Sequence, residues 1–238
     1  MTKFTPNINV KYTIRDQLSK LKNNKKLNTY LHAVNDIIND KETTKQEKIN
    51  GLNHIIKHLS LSIENQLIED LLSNFQEFPE PTNDLLNFPT TLRPKEISFK
   101  KQIKVSIHST PIITFPWRRE RLLKNLQLIG ELANNPFKPN ENHCYNIYVF
   151  PLNLVLIENG HHSTATALLE NNTEITIDHY IDLSILYDSI YFNGTYFKNT
   201  HYHAKISPKY KEFGIIFEIG RLLNENNLNI IPQDIKIE

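Results

Sequence analysis

The chain has 238 residues, of which 39% are hydrophobic and 22% charged, and its formal net charge is +1. These values are ordinary for a globular protein and give no overall preference for an acidic or a basic partner. Cys144 is the single cysteine, so no intramolecular disulfide can form. The first residues lack the apolar core of a signal peptide, and no apolar run approaches the roughly 18 residues that span a bilayer. We therefore expect a cytoplasmic protein without a membrane partner.

Residues 1–77 are predicted to form a helical N-terminal region. Thr44 and Glu47 have the spacing of a capping box, in which each side chain bonds to the backbone of the other residue. Apolar residues recur at three- and four-residue intervals in three stripes. The stripes are Leu27, Leu31, Val34 and Ile38; Leu52, Ile55, Ile56 and Leu59; and Leu67, Ile68, Leu71, Leu72 and Phe75.

The N-terminal region is also locally basic. Residues 1–60 contain eleven Lys and Arg against five Asp and Glu, and a second basic cluster lies at 117–124, "WRRERLLK". Basic helices can bind the phosphates of nucleic acid, and nucleic acid is one partner that these helices suggest. The alternative is a solvated helix face, which is the more common use of such residues.

A proline-rich connection is predicted at 78–96, because Pro79, Pro81, Pro89 and Pro94 forbid a continuous helix there. The core then extends over 97–206 and begins with a strand at 97–107. A short strand, a Pro-Trp turn with Pro116, and a helix follow. The apolar stripe of that helix is predicted to consist of Leu122, Leu126, Ile129 and Ala133.

The second half of the core alternates strands and helices. "YNIYVF" and "LNLVLIEN" flank Pro151 and predict a strand pair, Gly160 opens a helix that ends near Leu169, and residues 174–183 predict another strand. Asn193-Gly194 is typical of a hairpin turn. Residues 207–238 form a C-terminal helix, predicted at 208–225, and a tail. The fold class is therefore α+β, with a helical N-terminal part before a mixed α/β core.

The junction "ENGHHST", residues 158–164, is the candidate functional site. Gly160 allows a sharp turn and a close approach of a ligand to the backbone. A helix N-terminus presents unpaired N–H groups and positive potential, so it attracts phosphate or carboxylate. Ser163 and Thr164 add hydroxyl donors, and with Asn159 and Gly160 they are the candidate ligand-binding residues of the turn. His161 and His162 are candidate acid/base residues, with Glu158 as a further base. The alternative is a plain turn with a hydroxyl, Ser163 or Thr164, capping the helix.

The order of elements from about Lys104 to Leu183 resembles the ParB/sulfiredoxin-like superfamily. "PWRRERLLKNLQLIGELANNPF" is similar to its first core helix, and "YNIYVFPLNLVLIENGHHSTATALLENNTEITI" is similar to its strand pair, signature turn, second helix and following strand. The resemblance implies binding of a nucleotide or phosphate at the turn. Members include CTP-binding partition proteins, ATP-dependent sulfinic-acid reductases, small-molecule kinases and proposed nucleases. A further resemblance is to an uncharacterised bacterial domain family with an "NG-x-HS" signature.

The turn departs from the superfamily pattern Asp-Gly-His-His-Arg at two positions. Asn159 takes the acidic position and Ser163 takes the position of the arginine, whose fixed charge would contact phosphate. The departure weakens the expectation of phosphoryl transfer and leaves the fold expectation intact. Arg118, Arg119 and Arg121 are candidates for the missing charge, while Trp117 is expected to pack at the core boundary.

Candidate metal ligands occur in two places. Mg²⁺ is a cofactor that a nucleotide could bring, with Glu158 or Asp178 as its ligands. His179, His201 and His203 form a second histidine group, but no HExxH or CxxC motif accompanies it, so no protein-bound metal is predicted there.

Two functions remain open. The first is an enzyme, a nucleotide hydrolase, nuclease or phosphotransferase, that uses histidine at the strand–glycine–helix turn. The second is a regulatory or interaction protein that binds nucleotide or DNA without turnover. Because one scaffold hosts many functions, the resemblance does not choose between them.

Overall fold

A computed structural model describes residues 25–73, 84–170 and 173–229. Within these ranges the chain forms five α-helices and eight strands, which confirms the α+β class with a helical N-terminal part. The helices are α1 (Lys25–Asn39), α2 (Lys45–Ser73), α3 (Arg119–Leu128), α4 (His161–Glu170) and α5 (Lys211–Glu225). The strands are β1 (Glu96–Ser106), β2 (Ile112–Ile113), β3 (Ile147–Phe150), β4 (Leu154–Leu156), β5 (Glu174–Asp182), β6 (Ile190–Phe192), β7 (Phe197–Asn199) and β8 (Lys205–Ile206).

The predicted capping box starts α2. Glu47 Oε2 accepts the backbone N–H of Thr44 at 2.7 Å, and Thr44 Oγ1 accepts the N–H of Glu47 at 3.3 Å. The predicted apolar stripes face the interior, since Leu27, Val34, Leu52, Ile56, Leu59, Leu67 and Leu71 are all buried. The described residues do not include the part of the predicted helical region before residue 25, nor Phe75, Pro79 and Pro81.

A five-stranded mixed sheet lies at the centre, in the order β1–β5–β3–β4–β2. β3 and β4 form the predicted antiparallel pair, with Tyr148 opposite Val155, while β3–β5 and β2–β4 are parallel. β6, β7 and β8 form a separate antiparallel sheet, and its first turn is the predicted Asn193-Gly194 hairpin. This topology places the start of α4 directly after β4, next to the loop that follows β2.

The N-terminal helices share one hydrophobic core with the sheet and with α5. Leu59 and Ile63 of α2 belong to the same buried cluster as Ile113 of β2 and Ile216 of α5. The described part of the predicted connection also packs there, because the Phe88 ring lies 4.9 Å from Phe197 and 5.2 Å from Phe217, between centroids. Within the described ranges, no helix is long and apolar enough to span a membrane.

The third helix is shorter than its sequence predicts. α3 ends at Leu128, so Ile129 and Ala133 do not continue its apolar stripe. The physical reason is Gly130, whose φ of +137° is incompatible with a helix and whose N–H and C=O pair with Asn135. The chain turns there into a loop, residues 129–146, that contributes to the site below.

Candidate functional site

The strand–glycine–helix junction forms where it was predicted. β4 ends at Leu156, and α4 begins at His161, directly after Gly160. Gly160 adopts a φ of +79°, and a Cβ at this position would collide with the imidazole ring of His143. Both the backbone conformation and the close approach of this ring therefore require glycine.

His161 holds the loop that follows β2. Its Nδ1 accepts the backbone N–H of Phe115 at 3.1 Å, and only 6% of the residue is exposed. The ring also lies edge-on to Trp117, with 5.4 Å between centroids. A neutral imidazole that accepts through Nδ1 carries its proton on Nε2.

His162 holds the next part of the same loop. Its Nε2 accepts two backbone N–H groups, from Trp117 at 3.2 Å and from Arg118 at 2.9 Å. The Trp117 ring packs on the imidazole at 4.6 Å between centroids. The three backbone donors of residues 115–118 are thus satisfied by two consecutive histidines of α4, which fixes the loop against the helix start.

Both histidines are neutral at physiological pH. Burial lowers the pKa of His161 to about 4, and the neighbouring His162 acts in the same direction. Burial also lowers the pKa of His162 to about 4, with further contributions from Arg121 and Arg118. The lone pair that a general base would use is already bonded to the backbone in each ring. This geometry supports positioning of the loop by His161 and His162, rather than the acid/base role that the sequence predicts.

A third histidine, which the sequence does not single out, lies against the same turn. His143 Nε2 is 2.8 Å from Ser163 Oγ, and its Nδ1 is 3.1 Å from the backbone N of Asn140. Ser163 Oγ in turn donates to the carbonyl of Gly160 at 3.0 Å. Burial lowers the pKa of His143, against a smaller opposing effect of the Asn140 backbone, so this ring is also neutral at pH 7.

These residues surround a cavity of about 470 Å³ between α3, α4 and the loop 129–146. Its charged lining residues are Arg121, Lys124 and Lys138, and none of its lining residues is acidic. The other lining residues are Trp117, Asn125, Ile129, Asn135, Pro136, Phe137, Asn140, His143, Gly160, His161, His162 and Ser163. The cavity therefore combines a positive rim, an apolar wall and the first turn of a helix.

The structure brings some of the predicted arginines to the cavity and not others. Arg121 lines it. Arg118 lies close enough to depress the pKa of His162, although it is not a lining residue. Arg119 Nε donates to the carbonyl of Leu72 at the end of α2, which directs this side chain away from the cavity.

The remaining junction residues lie outside the cavity lining. Thr164 is buried, and its N–H donates to the carbonyl of Gly160 within the helix turn. Asn159 Nδ2 faces the carbonyl and the sulfur of Cys144. Burial raises the pKa of Glu158, with Glu96 adding to the effect. Asp178 of β5 accepts the N–H of Tyr145 at 2.8 Å and is likewise not a lining residue.

Potential metal ligands are dispersed in the part of the chain that the structure describes. No three His, Cys, Asp or Glu side chains come together there. His179 of β5 approaches Glu96 at 3.9 Å, whereas His201 and His203 follow β7. Mg²⁺ therefore stays a prediction tied to a bound nucleotide.

Several basic residues of the N-terminal helices contact other parts of the protein or one another. Lys26 forms an ion pair with Glu212 of α5 at 2.5 Å. Lys48 Nζ donates to the carbonyl of Ile38 at 2.8 Å, and Lys57 Nζ donates to that of Ile107 at 2.9 Å. Part of the basic character of this region thus serves internal contacts.

Two cationic residues of the cavity were missed by the sequence interpretation. Lys124 belongs to the basic cluster 117–124, so its spacing from Arg121 on one helix was a usable signal. Lys138 lies in a loop without periodicity, and so does His143, a neutral residue of the cavity that was also missed. Their approach to α4 is a long-range contact that sequence spacing does not indicate.

Together, the fold and the cavity define an α+β protein with a positively charged pocket at a strand–glycine–helix junction. The chain matches the model of DUF6710, a family of unknown function, over residues 13–230, and it belongs to this family. No curated protein and no solved structure matches the chain.

Proposed function

We propose that this protein binds a phosphorylated ligand, specifically a nucleotide, in the pocket between α3 and α4. The observation that carries the proposal is the charge of the pocket, which is lined by Arg121, Lys124 and Lys138 without a compensating carboxylate. Three cations that converge on one cavity repel one another, and an anionic ligand would offset this cost.

The first turn of α4 adds to the attraction. No acidic residue occupies that turn, although carboxylates are favoured at helix N-termini. Gly160 brings the backbone into the cavity wall without a side chain in the way. A phosphate at this position would meet the positive end of the helix dipole as well as the cationic side chains.

The size and the apolar wall favour an organic phosphate over a free inorganic ion. About 470 Å³ lies within the range of small-molecule pockets. Trp117, Ile129, Pro136 and Phe137 supply apolar surface beside the cations, which suits a base or another flat organic group. The resemblance to the ParB/sulfiredoxin-like superfamily supports the same location, because the superfamily binds nucleotides at this turn.

The test is ligand-induced stabilisation of the purified protein. Thermal unfolding is recorded with nucleoside triphosphates, with pyrophosphate and with unphosphorylated nucleosides, each with and without Mg²⁺. A ligand at about 100 times its dissociation constant should stabilise the native state by about 2.7 kcal/mol. We expect the phosphorylated compounds to raise the unfolding temperature and the nucleosides to leave it unchanged.

Matched variants locate the site. Lys124→Ala/Lys138→Ala should abolish the stabilisation, whereas Lys101→Ala/Lys104→Ala should retain it, because it removes the same charge from exposed positions of β1. A panel without any stabilising phosphate compound, or an equal loss in both double variants, would refute the pocket as the binding site. Duplex DNA in the same assay tests the nucleic-acid alternative. If DNA binds through phosphate contacts spread over the surface, the Lys101→Ala/Lys104→Ala variant should also lose part of the stabilisation by DNA.

A further inference from the structure

The pocket contains a hydroxyl, an imidazole and an amide in series. Ser163 Oγ lies 2.8 Å from His143 Nε2, and Asn140 Oδ1 lies 2.9 Å from His143 Nδ1. All three residues line the same cavity as the three cations. A nucleophile, a base and a group that orients the base are the components of an activated serine.

Asn140 can satisfy either tautomer of His143. Its backbone N–H, 3.1 Å from Nδ1, donates when Nδ1 carries the lone pair, and its side-chain oxygen accepts when Nδ1 carries the proton. In the second arrangement Nε2 presents its lone pair to Ser163 Oγ, and rotation of the hydroxyl turns its proton from the Gly160 carbonyl to this nitrogen. The ring can therefore adopt the tautomer that a general base needs in its present position, with loss of the hydrogen bond from the Asn140 backbone N–H.

His143 differs in this respect from the two histidines of the signature turn. The acceptor nitrogens of His161 and His162 are bonded to backbone N–H groups of the β2–α3 loop. His143 Nε2 instead faces a hydroxyl inside the cavity, with the proton acceptor and the nucleophile in hydrogen-bond contact. Among these three rings, it is the one placed to take a proton from a reacting group.

We infer that Ser163 is a nucleophile that His143 activates, and that it transfers the phosphoryl group of a bound phosphoester to water. This inference rests on the proposed binding of a phosphorylated ligand. The cations of the pocket, Arg121, Lys124 and Lys138, would face the charge that develops on the phosphoryl oxygens. Serine at the position where the superfamily pattern has arginine thus has a chemical use of its own.

The reaction balances in two steps. Ser163 Oγ attacks phosphorus and forms an O–P bond while the bond to the leaving oxygen breaks, and the serine proton passes through His143 Nε2 to that oxygen. Water then attacks the phosphoserine, gives one proton to His143, and displaces Ser163 Oγ, which recovers the proton. The products are an alcohol and inorganic phosphate, with water as the only co-reactant.

Two readouts test the nucleophile. A fluorophosphonate probe labels activated serines whatever their natural substrate, and acid quenching during turnover of 4-nitrophenyl phosphate traps a phosphoserine; peptide mass spectrometry locates both. We expect both modifications on Ser163. Ser163→Ala should abolish them and His143→Gln should reduce labelling at least tenfold. Ser109→Ala, an exposed serine outside the pocket lining, should label like the wild type.

Pyrophosphate binding, measured by thermal shift on the same variants, separates this inference from the proposed function. Ser163→Ala keeps the three cations and should still bind. Normal pyrophosphate binding by a wild type that acquires neither modification would overturn the nucleophile and leave the binding proposal standing. A wild type that neither pyrophosphate nor any nucleotide of the panel stabilises overturns the proposed function, and with it the phosphoester as the substrate, even if Ser163 is labelled.

Asn140 is a positioning residue in this scheme, and its test is a pH profile. Asn140→Asp replaces the amide by a carboxylate beside Nδ1, which should raise the pKa of His143 and move the midpoint of the labelling rate to higher pH. A labelling profile identical to that of the wild type would show that Asn140 does not orient the base.

Discussion

Gly160 shows how much of the site depends on a single missing side chain. Its positive φ and the adjacent His143 ring leave no room for a Cβ. Gly51, inside α2, is a contrasting glycine, since a Cβ there would meet only ordinary contacts with Ile37 at 3.4 and 3.6 Å. The same substitution should therefore have opposite effects at these two positions.

We predict that Gly160→Ala destabilises the protein by about 1–3 kcal/mol, because a strained backbone and a displaced His143 both cost free energy. Gly51→Ala should stabilise it by about 0.5–1 kcal/mol, since alanine has the higher helix propensity. Urea unfolding of the three proteins measures both values. A loss of stability that is equal in the two variants would contradict the conformation assigned to Gly160.

His162 is predicted to matter for stability through the two backbone donors that it accepts. His162→Ala leaves the N–H groups of Trp117 and Arg118 without this acceptor, at a cost of about 1–3 kcal/mol each if they stay buried. His162→Gln offers a side-chain oxygen and should recover part of the loss. Equal stability of the alanine variant and the wild type in urea would exclude this role.

The same ring predicts a dependence of stability on pH. The pKa of His162 is about 4 in the folded protein and about 6.5 in the unfolded chain, so the unfolded chain takes up the proton first as the pH falls. The contribution is complete above pH 6.5 and is lost on the way down to about pH 4. We expect His162→Gln to show a shallower fall in unfolding free energy across this window than the wild type, measured by urea titrations at a series of pH values.

At the level of residues, the sequence locates the strand–glycine–helix junction better than it explains the contacts there. Gly160 and the start of α4 follow from local spacing. The partners of His161 and His162 are 46 and 44–45 residues away, so no local pattern reveals that these rings accept backbone hydrogen bonds. Ser163 was expected to contact a ligand, and its pairing with His143 is again a contact between distant segments.

Between elements, a buried carboxyl joins α2 to the strand that leads into the site. Glu64 Oε1 accepts the N–H of Thr114 at 2.5 Å, and its Oε2 lies 2.9 Å from the Thr114 hydroxyl. Burial raises the pKa of Glu64 to about 8, although both contacts with Thr114 lower it. The carboxyl is therefore largely protonated at neutral pH, and Oε2 can donate to the threonine hydroxyl.

We predict that Glu64 makes the protein less stable as the pH rises. Its pKa is raised from 4.5 to about 8, so its contribution is complete below pH 4.5 and is lost as the pH passes through about 8. Glu64→Gln keeps the shape and a hydrogen-bonding group, and it should remove this loss. Chemical denaturation between pH 5 and 9 compares the two proteins; parallel curves would show that Glu64 does not titrate in this range.

The elements themselves follow well from sequence where periodicity is strong. The β3–β4 pair, β5, the Asn193-Gly194 hairpin and the capping box of α2 form as predicted, because each depends on neighbouring residues. The predicted end of α3 was wrong, since the apolar spacing continues through Ala133 while Gly130 turns the chain. A backbone conformation accessible to glycine outweighs the hydrophobic pattern at that position.

At the scale of the whole molecule, the helical N-terminal part and the C-terminal helix pack on one face of the central sheet in a shared core. The sequence shows that α1 and α2 are amphipathic but not which surface they cover, because their partners lie between 50 and 186 positions away. α2 packs against β2, and so it supports the loop that carries Trp117.

We predict cooperative unfolding of the described core. Leu59→Ala in α2 should cost about 2–5 kcal/mol and Ile216→Val in α5 about 0.5–1.5 kcal/mol. In each variant, the fluorescence of Trp117, the single tryptophan, and the far-ultraviolet circular dichroism of the helices should change at the same urea concentration. Separate transitions for the two signals would show that the N-terminal helices unfold independently.

The loop at residues 114–118 is held from two directions, by Glu64 of α2 at one end and by His161 and His162 of α4 at the other. A ligand that binds as proposed would therefore contact a wall that is already in its final shape. The loop would lose little conformational entropy on binding. Selectivity would therefore depend on the fit of the ligand to the pocket rather than on closure of the loop around it. Ligands whose shape does not match the pocket would be excluded without any conformational change of the protein.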